Sequence, residues 1–265
     1  FNEPFETLLF HVDFIEPPTE KNKLAVLNEF ENHLKTNKIA AFIFEPIIQG
    51  AAGMLMHSPE ILSEIIGLCK KYHVITIADE VFTGFGRTGK WFASDYFQHK
   101  PDVFCLSKGI TGGFMPLGIT AVSNTIYQAF YSDNTKHTFL HGHSYTGNPL
   151  ACAAANASLD LFETENTFEK IKRICQLQKT FISTIQQHKK IRNARCFGTI
   201  AAIELQTESE SNYFNPKGKE AYQFLLNRGI ILRPLGNVLT IIPPYCISDA
   251  ELNTIYQGIT AYLNQ

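Results

Sequence analysis

An α/β fold, its sheet mostly parallel and followed by a small α+β unit, is what this sequence predicts, and three observations predict it. Short apolar runs recur in the first half and end close to a charge: Ile39–Phe44 before Glu45, Val74–Ala78 before Asp79, and Val103–Leu106 shortly before Lys108. Helical spacing fills the stretch between the first two runs, and strand–helix–strand with short connections is a right-handed crossover between parallel strands. Beyond Phe162 the pattern changes to short apolar runs alternating with two amphipathic segments, so residues 1–162 are read as a large unit and 163–265 as a small one.

The elements follow in order. Leu24, Leu27, Phe30 and Leu34 recur at helical spacing from Lys23 to Lys35, and Ile39 to Phe44 is then a buried strand closed by Glu45-Pro46. Ser58-Pro59-Glu60 starts a helix, with serine as N-cap and proline at the first helical position. Ile61, Leu62, Ile65, Ile66 and Cys69 supply its apolar face up to Tyr72. Val74–Asp79, Val103–Leu106 and Leu117–Val122 are strands. The alanine-rich stretch Leu150–Phe162 is a helix, and helical periodicity continues with interruptions to about Gln187. In the second unit Ala201–Leu205, Gly229–Pro234 and Asn237–Pro244 read as short strands, and Lys219–Arg228 and Ser248–Leu263 as helices. The opening stretch Asn2–Glu20, with Pro4, Pro17 and Pro18, reads as loop. Because the first residue is Phe1, the chain reads as the interior of a longer protein.

Composition bounds the function. A chain of 265 residues, 45% apolar and 18% charged, suffices for a large core or two unequal domains. A net charge of −2 offers no basic field to nucleic acid, and Glu208-Ser209-Glu210 is a short solvated cluster. The six cysteines show no CxxC spacing, and most sit inside apolar runs, which reads as buried free thiols in a reducing cytoplasm. No apolar stretch is long enough to span a bilayer, and the start lacks the pattern of a secretory signal.

Asp79 and Lys108 are the chemical centre of this reading. In an open parallel sheet the ligand crevice lies outside the carboxyl ends of the strands, so residues that end neighbouring strands converge there. An acid and an amine at such an edge suggest pyridoxal phosphate: the amine can condense with the aldehyde, and the acid can hold the pyridine nitrogen protonated. A charge at a strand end also marks simply where a sheet meets water, and on either residue alone the two readings stand side by side. Gly84-Phe85-Gly86-Arg87-Thr88-Gly89 has the glycines of a phosphate loop but runs into Lys90-Trp91-Phe92 with no helix start, so it reads as an irregular loop presenting Arg87. His137, His141 and His143 invite a metal reading, but carboxylates are sparse around them and no metal is expected.

The motifs together resemble the class III aminotransferases, which are fold-type I pyridoxal phosphate enzymes. Glu45-Pro46-Ile47-Ile48-Gln49-Gly50, Ala78-Asp79-Glu80-Val81, Thr83 to Gly89, Ser107-Lys108-Gly109 and Gly147 to Ala154 stand in that family's order and spacing. His141-Gly142-His143-Ser144, Arg233-Pro234-Leu235-Gly236-Asn237 and Pro243-Pro244-Tyr245 resemble the branch serving biotin biosynthesis. What the resemblance implies is transamination of 8-amino-7-oxononanoate, with S-adenosylmethionine the usual amino donor and lysine known in the group. It also implies an incomplete large domain, because the family's amino-terminal part has no counterpart here. Lys108 would hold the cofactor and move the proton, Asp79 would pair with the pyridine nitrogen, and Ser144 would reach the cofactor phosphate of a second subunit in a homodimer. Arg233 would bind the substrate carboxylate, Arg87 and Tyr245 would line the cleft, and Gly142 would allow close backbone approach. Glu45 reads as an organiser of the site, and Phe82 as an apolar wall. On the residues alone, Arg233 also fits a surface ion pair and Tyr245 packing at a turn. Aminotransferases for ornithine, 4-aminobutyrate or a diamine share Lys108, Asp79 and Arg87, and a non-catalytic remnant keeps the fold.

Overall fold

Helix α1 (Lys23–Lys35) forms where Val26, Phe30 and Leu34 fall on one face and are buried, while Leu24 turns to solvent. The computed structural model describes residues 3–36, 38–209 and 211–265, so Phe1, Asn2 and the Glu210 end of the acidic cluster lie outside the described residues. Strand β1 (Ala41–Phe44) follows, then a hairpin of β2 (Ile48–Gln49) and β3 (Leu55–Met56). Helix α2 (Pro59–Lys71) starts as its sequence dictates: the Ser58 side chain accepts from the Ile61 N–H, and Pro59 occupies the first turn, where no N–H is needed. Its face of Ile61, Leu62, Ile65, Ile66 and Cys69 is buried, and each such aliphatic side chain contributes roughly 1.5–3 kcal/mol over an exposed one.

The crossover delivers β4 (Ile75–Asp79), then β5 (Val103–Leu106) and β6 (Ile119–Val122). The sheet order is β1-β4-β5-β6, with the first three strands parallel and β6 antiparallel to β5, as a mostly parallel sheet requires. Asp102 locks the start of β4 by accepting from the Thr76 N–H at 2.9 Å and from its hydroxyl at 2.7 Å. The short α3 (Asn124–Phe130) leads through an exposed stretch to α4 (Pro149–Thr164), capped by the Asn148 side chain. Asn166, in the left-handed region at φ 50°, turns the chain into α5 (Thr167–Ile185).

The remaining chain folds around a second sheet. Strands β7 (Ile191–Phe197), β8 (Ile200–Leu205) and β9 (Val238–Ile241) are antiparallel in that order, with α6 (Lys217–Leu226) and α7 (Asp249–Leu263) packed on them. Ile174, Ile203, Leu225, Leu239 and Ile259 centre its core. Ile200, Ala202 and Val238 pack instead with Phe30, Ile65 and Ile66, so the two sheets share apolar contacts.

Several sequence expectations are corrected. Gly229–Pro234 is not a strand: Ile230 and Leu232 are buried and Ile231 exposed, yet the backbone joins no ladder. Strand β7 and the β2–β3 hairpin arise where no strand is expected, and the opening stretch contains a 3-10 turn at Glu3–Leu8. Of the six cysteines only Cys69 is buried; Cys152 and Cys246 are exposed, because α4 and the Tyr245–Ile247 turn present them outward.

Candidate active site

Three parallel strands deliver their carboxyl ends to one edge. The register pairs Phe44 with Ala78 and Asp79 with Cys105, which sets Glu45, Asp79 and the Ser107-Lys108 step on neighbouring strands. The Glu45 carboxyl senses the other two charges. Burial pushes the Glu45 carboxyl above its ordinary range, the Asp79 charge adds to this, and the Lys108 charge opposes it. Glu45 Oε2 accepts from the Gly50 N–H at 2.8 Å, and Asp79 Oδ1 accepts from the Val81 N–H at 3.1 Å.

Lys108 has φ 45°, in the left-handed region that a side chain with a Cβ rarely occupies, and it opens a 3-10 turn, Lys108–Thr111. Such strain persists where neighbouring structure over-determines the backbone. The Ser107 hydroxyl ties the preceding residue to the Leu117 carbonyl at 2.6 Å, and the Gly113 N–H bonds the Lys108 carbonyl at 3.2 Å. The lysine side chain itself is exposed, and its Nζ stands 5.5 Å from the centre of the Phe82 ring, within reach of a cation–π contact.

Glu80, next to Asp79, does something the sequence reading missed. Its side chain is fully buried and accepts from the Ser94 N–H at 2.7 Å, the Ala93 N–H at 3.1 Å and the Thr83 hydroxyl at 2.6 Å. It therefore ties the end of β4 to the whole loop that carries Arg87. The signal available in sequence was Thr83 three residues on, the spacing at which a hydroxyl meets a carboxylate across a turn.

Arg87 and Tyr245 form a second group. The Arg87 Nη1 donates to the Pro243 carbonyl at 2.7 Å, and the guanidinium lies 4.6 Å from the Tyr245 ring centre. The Tyr245 hydroxyl donates to the Phe85 carbonyl at 2.7 Å; burial pushes this phenol up to about 12, against the pull of the Arg87 charge. Thr199 holds the other side of the loop, its N–H at 2.9 Å and its hydroxyl at 3.1 Å from the Arg87 carbonyl. Gly198, at φ 60°, makes this approach possible, since a Cβ there would lie 2.3 Å from the Arg87 oxygen.

Arg233, Gly142 and Ser144 are exposed. No hydrogen bond or ion pair among the described residues ties the Arg233 guanidinium or the Ser144 hydroxyl to either group. Among the described residues no three His, Cys, Asp or Glu are grouped to hold a metal ion, and no helix is long and apolar enough to cross a membrane.

A parallel sheet whose strand ends gather an amine and two carboxylates, beside an arginine loop, matches what the comparisons find. The Aminotransferase class-III family pattern matches residues 1–263, and the chain belongs to that family. It is 42% identical over 273 residues to the adenosylmethionine-8-amino-7-oxononanoate aminotransferase of Synechococcus elongatus, covering 100% of this chain and 64% of that protein. The Staphylococcus aureus protein of the same name is 36% identical over 271 residues, covering 96% and 60%. The crystal structure of the Methanocaldococcus jannaschii protein of that name superposes with a TM-score of 0.89 at 34% identity, covering 98% of this chain and 62% of that one. The fold class is thus that of the family's α/β transaminases, and the chain spans less than two thirds of the length of the relatives it matches.

Proposed function

We propose that this chain carries the catalytic lysine of a pyridoxal phosphate-dependent aminotransferase of biotin biosynthesis, turning 8-amino-7-oxononanoate into 7,8-diaminononanoate with S-adenosylmethionine as amino donor. The observation that carries the reading is the Lys108 amine and the Asp79 carboxylate at the ends of neighbouring strands. The shared name of the relatives described above supports the substrate pair.

The residues present fit the cofactor: an exposed primary amine for its aldehyde, and a carboxylate already oriented by the Val81 N–H for its ring nitrogen. When bound, pyridoxal phosphate supplies the aldehyde and an electron-withdrawing ring. Asp79 would pair with the ring nitrogen of the bound cofactor and favour its protonated form. Lys108 would bind the cofactor through its amine, and its Nζ would serve as the base and then the acid that moves the proton leaving the donor Cα. Glu45, poised by burial to take up a proton more readily than an ordinary carboxyl, tunes the charge between Asp79 and Lys108. Arg233 grips the substrate carboxylate with its planar fork, Arg87 and Tyr245 wall the cleft, and Gly142 admits the ligand close to the backbone.

The enzyme in this reading is a cytoplasmic homodimer in which Ser144 serves the second subunit's cofactor phosphate. The exposed Phe139, Leu140 and Leu150 around Ser144 support an apolar contact with a second copy there. The chain divides into a large-domain portion, 1–162, and a small domain, 163–265; the support is that no sheet crosses this boundary: the four-stranded sheet and the β2–β3 hairpin lie in the first portion and the three-stranded sheet in the second.

The test is borohydride reduction after adding pyridoxal phosphate, followed by peptide mapping, then conversion of 8-amino-7-oxononanoate with S-adenosylmethionine or lysine as donor. A tag specific to Lys108 and turnover of the oxononanoate are the expected results. Tagging scattered over surface lysines would overturn the site. Turnover of ornithine or 4-aminobutyrate in place of the oxononanoate would overturn the pathway and keep the chemistry.

A further inference from the structure

The apolar face of α5 carries a polar side chain at its centre. Ile171, Ile174, Phe181, Ile182 and Ile185 recur at helical spacing and are buried, and Gln178 stands among them with no exposed surface. A buried amide without partners destabilises a fold, and a methionine would fill the same position without that cost. Each polar atom of Gln178 is engaged. Its Nε2 donates to the Thr199 carbonyl at 3.2 Å and to the Ile241 carbonyl at 3.1 Å, and its Oε1 accepts from the Tyr256 hydroxyl at 3.3 Å. Tyr256 is fixed in turn, its ring stacked on Phe181 with centres 4.1 Å apart.

Both carbonyls belong to the clamp on Arg87. Thr199, just ahead of β8, bonds the Arg87 carbonyl through its N–H and its hydroxyl. Ile241 ends β9 two residues before Pro243, whose carbonyl accepts from Arg87 Nη1. The anchor on the arginine's backbone and the anchor on its guanidinium thus lead back to one side-chain nitrogen. The same helix also supports the loop directly. Ile171 Cδ1 lies 2.4 Å from where a Cβ on Gly86 would stand, and Cys175 Sγ lies 3.9 Å from the corresponding point at Gly89. Ile171, Cys175 and Gln178 are four and then three residues apart, so one line along α5 meets the loop on either side of Arg87 and then both of its anchors.

We propose that Gln178 is a positioning residue for Arg87: its amide ties the two anchors to α5, fixes the spacing between them and so sets where the guanidinium points. In the simpler alternative the amide does no more than satisfy two strand-end carbonyls. That role requires no relation between the two, whereas here each stands beside a bond made by the same arginine. The consequence for ligand choice rests on the assignment of Arg87 to the cleft; the geometry does not.

The experiment treats the 265-residue chain with phenylglyoxal, which modifies arginine, and compares by peptide mass mapping the rate at Arg87 with the rate at the exposed Arg228. Gln178→Met keeps the length and bulk of the side chain and removes both donors. Ile259→Ala is the control, since it loosens the same core and removes no hydrogen bond. In Gln178→Met the Arg87 to Arg228 ratio is expected to rise about fivefold, and in Ile259→Ala to stay within about twofold of the parent, although both variants lower the urea midpoint. Tyr256→Phe keeps the stack on Phe181, removes only the hydroxyl that holds the amide oxygen, and should move the ratio in the same direction; it decides the matter if Gln178→Met does not fold. An unchanged ratio in folded Gln178→Met, or in Tyr256→Phe where that variant stands in for it, overturns the proposal. So does an equal rise in Ile259→Ala, which would leave the amide a purely structural role. Neither cofactor nor substrate enters the measurement, so failure of the proposed reaction leaves this result standing, and an unchanged ratio leaves the reaction untouched.

Discussion

Replacing Glu80 by glutamine tests the idea that the carboxylate beside Asp79 is structural and holds the arginine loop. Glu80, Thr83, Ala93 and Ser94 are each fully buried, so water cannot take over a lost partner. Both Glu80 oxygens accept: one from Ser94 N–H, the other from Ala93 N–H and the Thr83 hydroxyl. An amide keeps only one accepting oxygen. If its NH2 faces Ser94, that N–H is orphaned at about 1–3 kcal/mol, and the two remaining bonds fall from charge-assisted to neutral strength, about 1 kcal/mol between them. The sum is roughly 2–4 kcal/mol. With a urea slope near 3 kcal/mol/M for a chain of this size, the unfolding midpoint drops by about 1 M, read by circular dichroism. Glu80→Asp, which keeps the charge but shortens the reach, should lose a comparable amount. A midpoint within about 0.2 M of the parent at unchanged slope would refute the reasoning, because it would mean that the three donors find other partners.

Gly198→Ala should destabilise by more than about 3 kcal/mol, since a left-handed alanine costs about 1 kcal/mol and the new Cβ must push the Arg87 carbonyl away from Thr199; chemical denaturation checks it, and a loss below about 1 kcal/mol would sink it. Burial raises the Tyr245 and Tyr262 phenols to about 12, so their neutral forms are favoured in the fold. Their stabilisation is complete below the unfolded phenol value of about 10 and is lost as pH rises from there through about 12. Phenolate absorbance should show a late phase among the ten tyrosines, partly removed by Tyr245→Phe; one phase centred near 10 would contradict it.

Much of the first half was legible because its signals are local. The Ser58-Pro59 start of α2 and the charge-terminated runs of β1, β4 and β5 each depend on a few neighbouring residues. What stayed hidden depends on distant partners. Strand β7 reads as Ile-Arg-Asn-Ala-Arg-Cys-Phe, with a register shift between Ile191 and Asn193 that breaks the alternation. Its Arg195 is accommodated because Nε bonds the Met54 carbonyl at 2.8 Å and the guanidinium also meets Gly53 and Glu204. Gly229–Pro234 shows the converse: its alternation reports which side chains are buried, and burial does not by itself create a ladder. The placement of Asp79 at the end of β4 and of Lys108 just past β5 was readable from the apolar runs, whereas the anchoring of Glu80 to Ala93 and Ser94 crosses a loop whose path no local rule supplies.

The clamp on Arg87 has a bearing on how selectivity can be altered. Its carbonyl is held from the β7–β8 turn and its guanidinium from the Pro243–Tyr245 turn, whereas Lys108 follows β5 of the first sheet by two residues. A substitution near Pro243, 156 positions along the chain from Arg87, acts on the bond that holds that arginine and lies outside the strands that lead to Asp79 and Lys108. On the proposed assignment of Arg87 to the cleft and Lys108 to the chemistry, ligand preference can drift through the last quarter of the sequence while the first half stays fixed, and a search for determinants of choice extends beyond the motifs around Lys108 to the turns that hold Arg87.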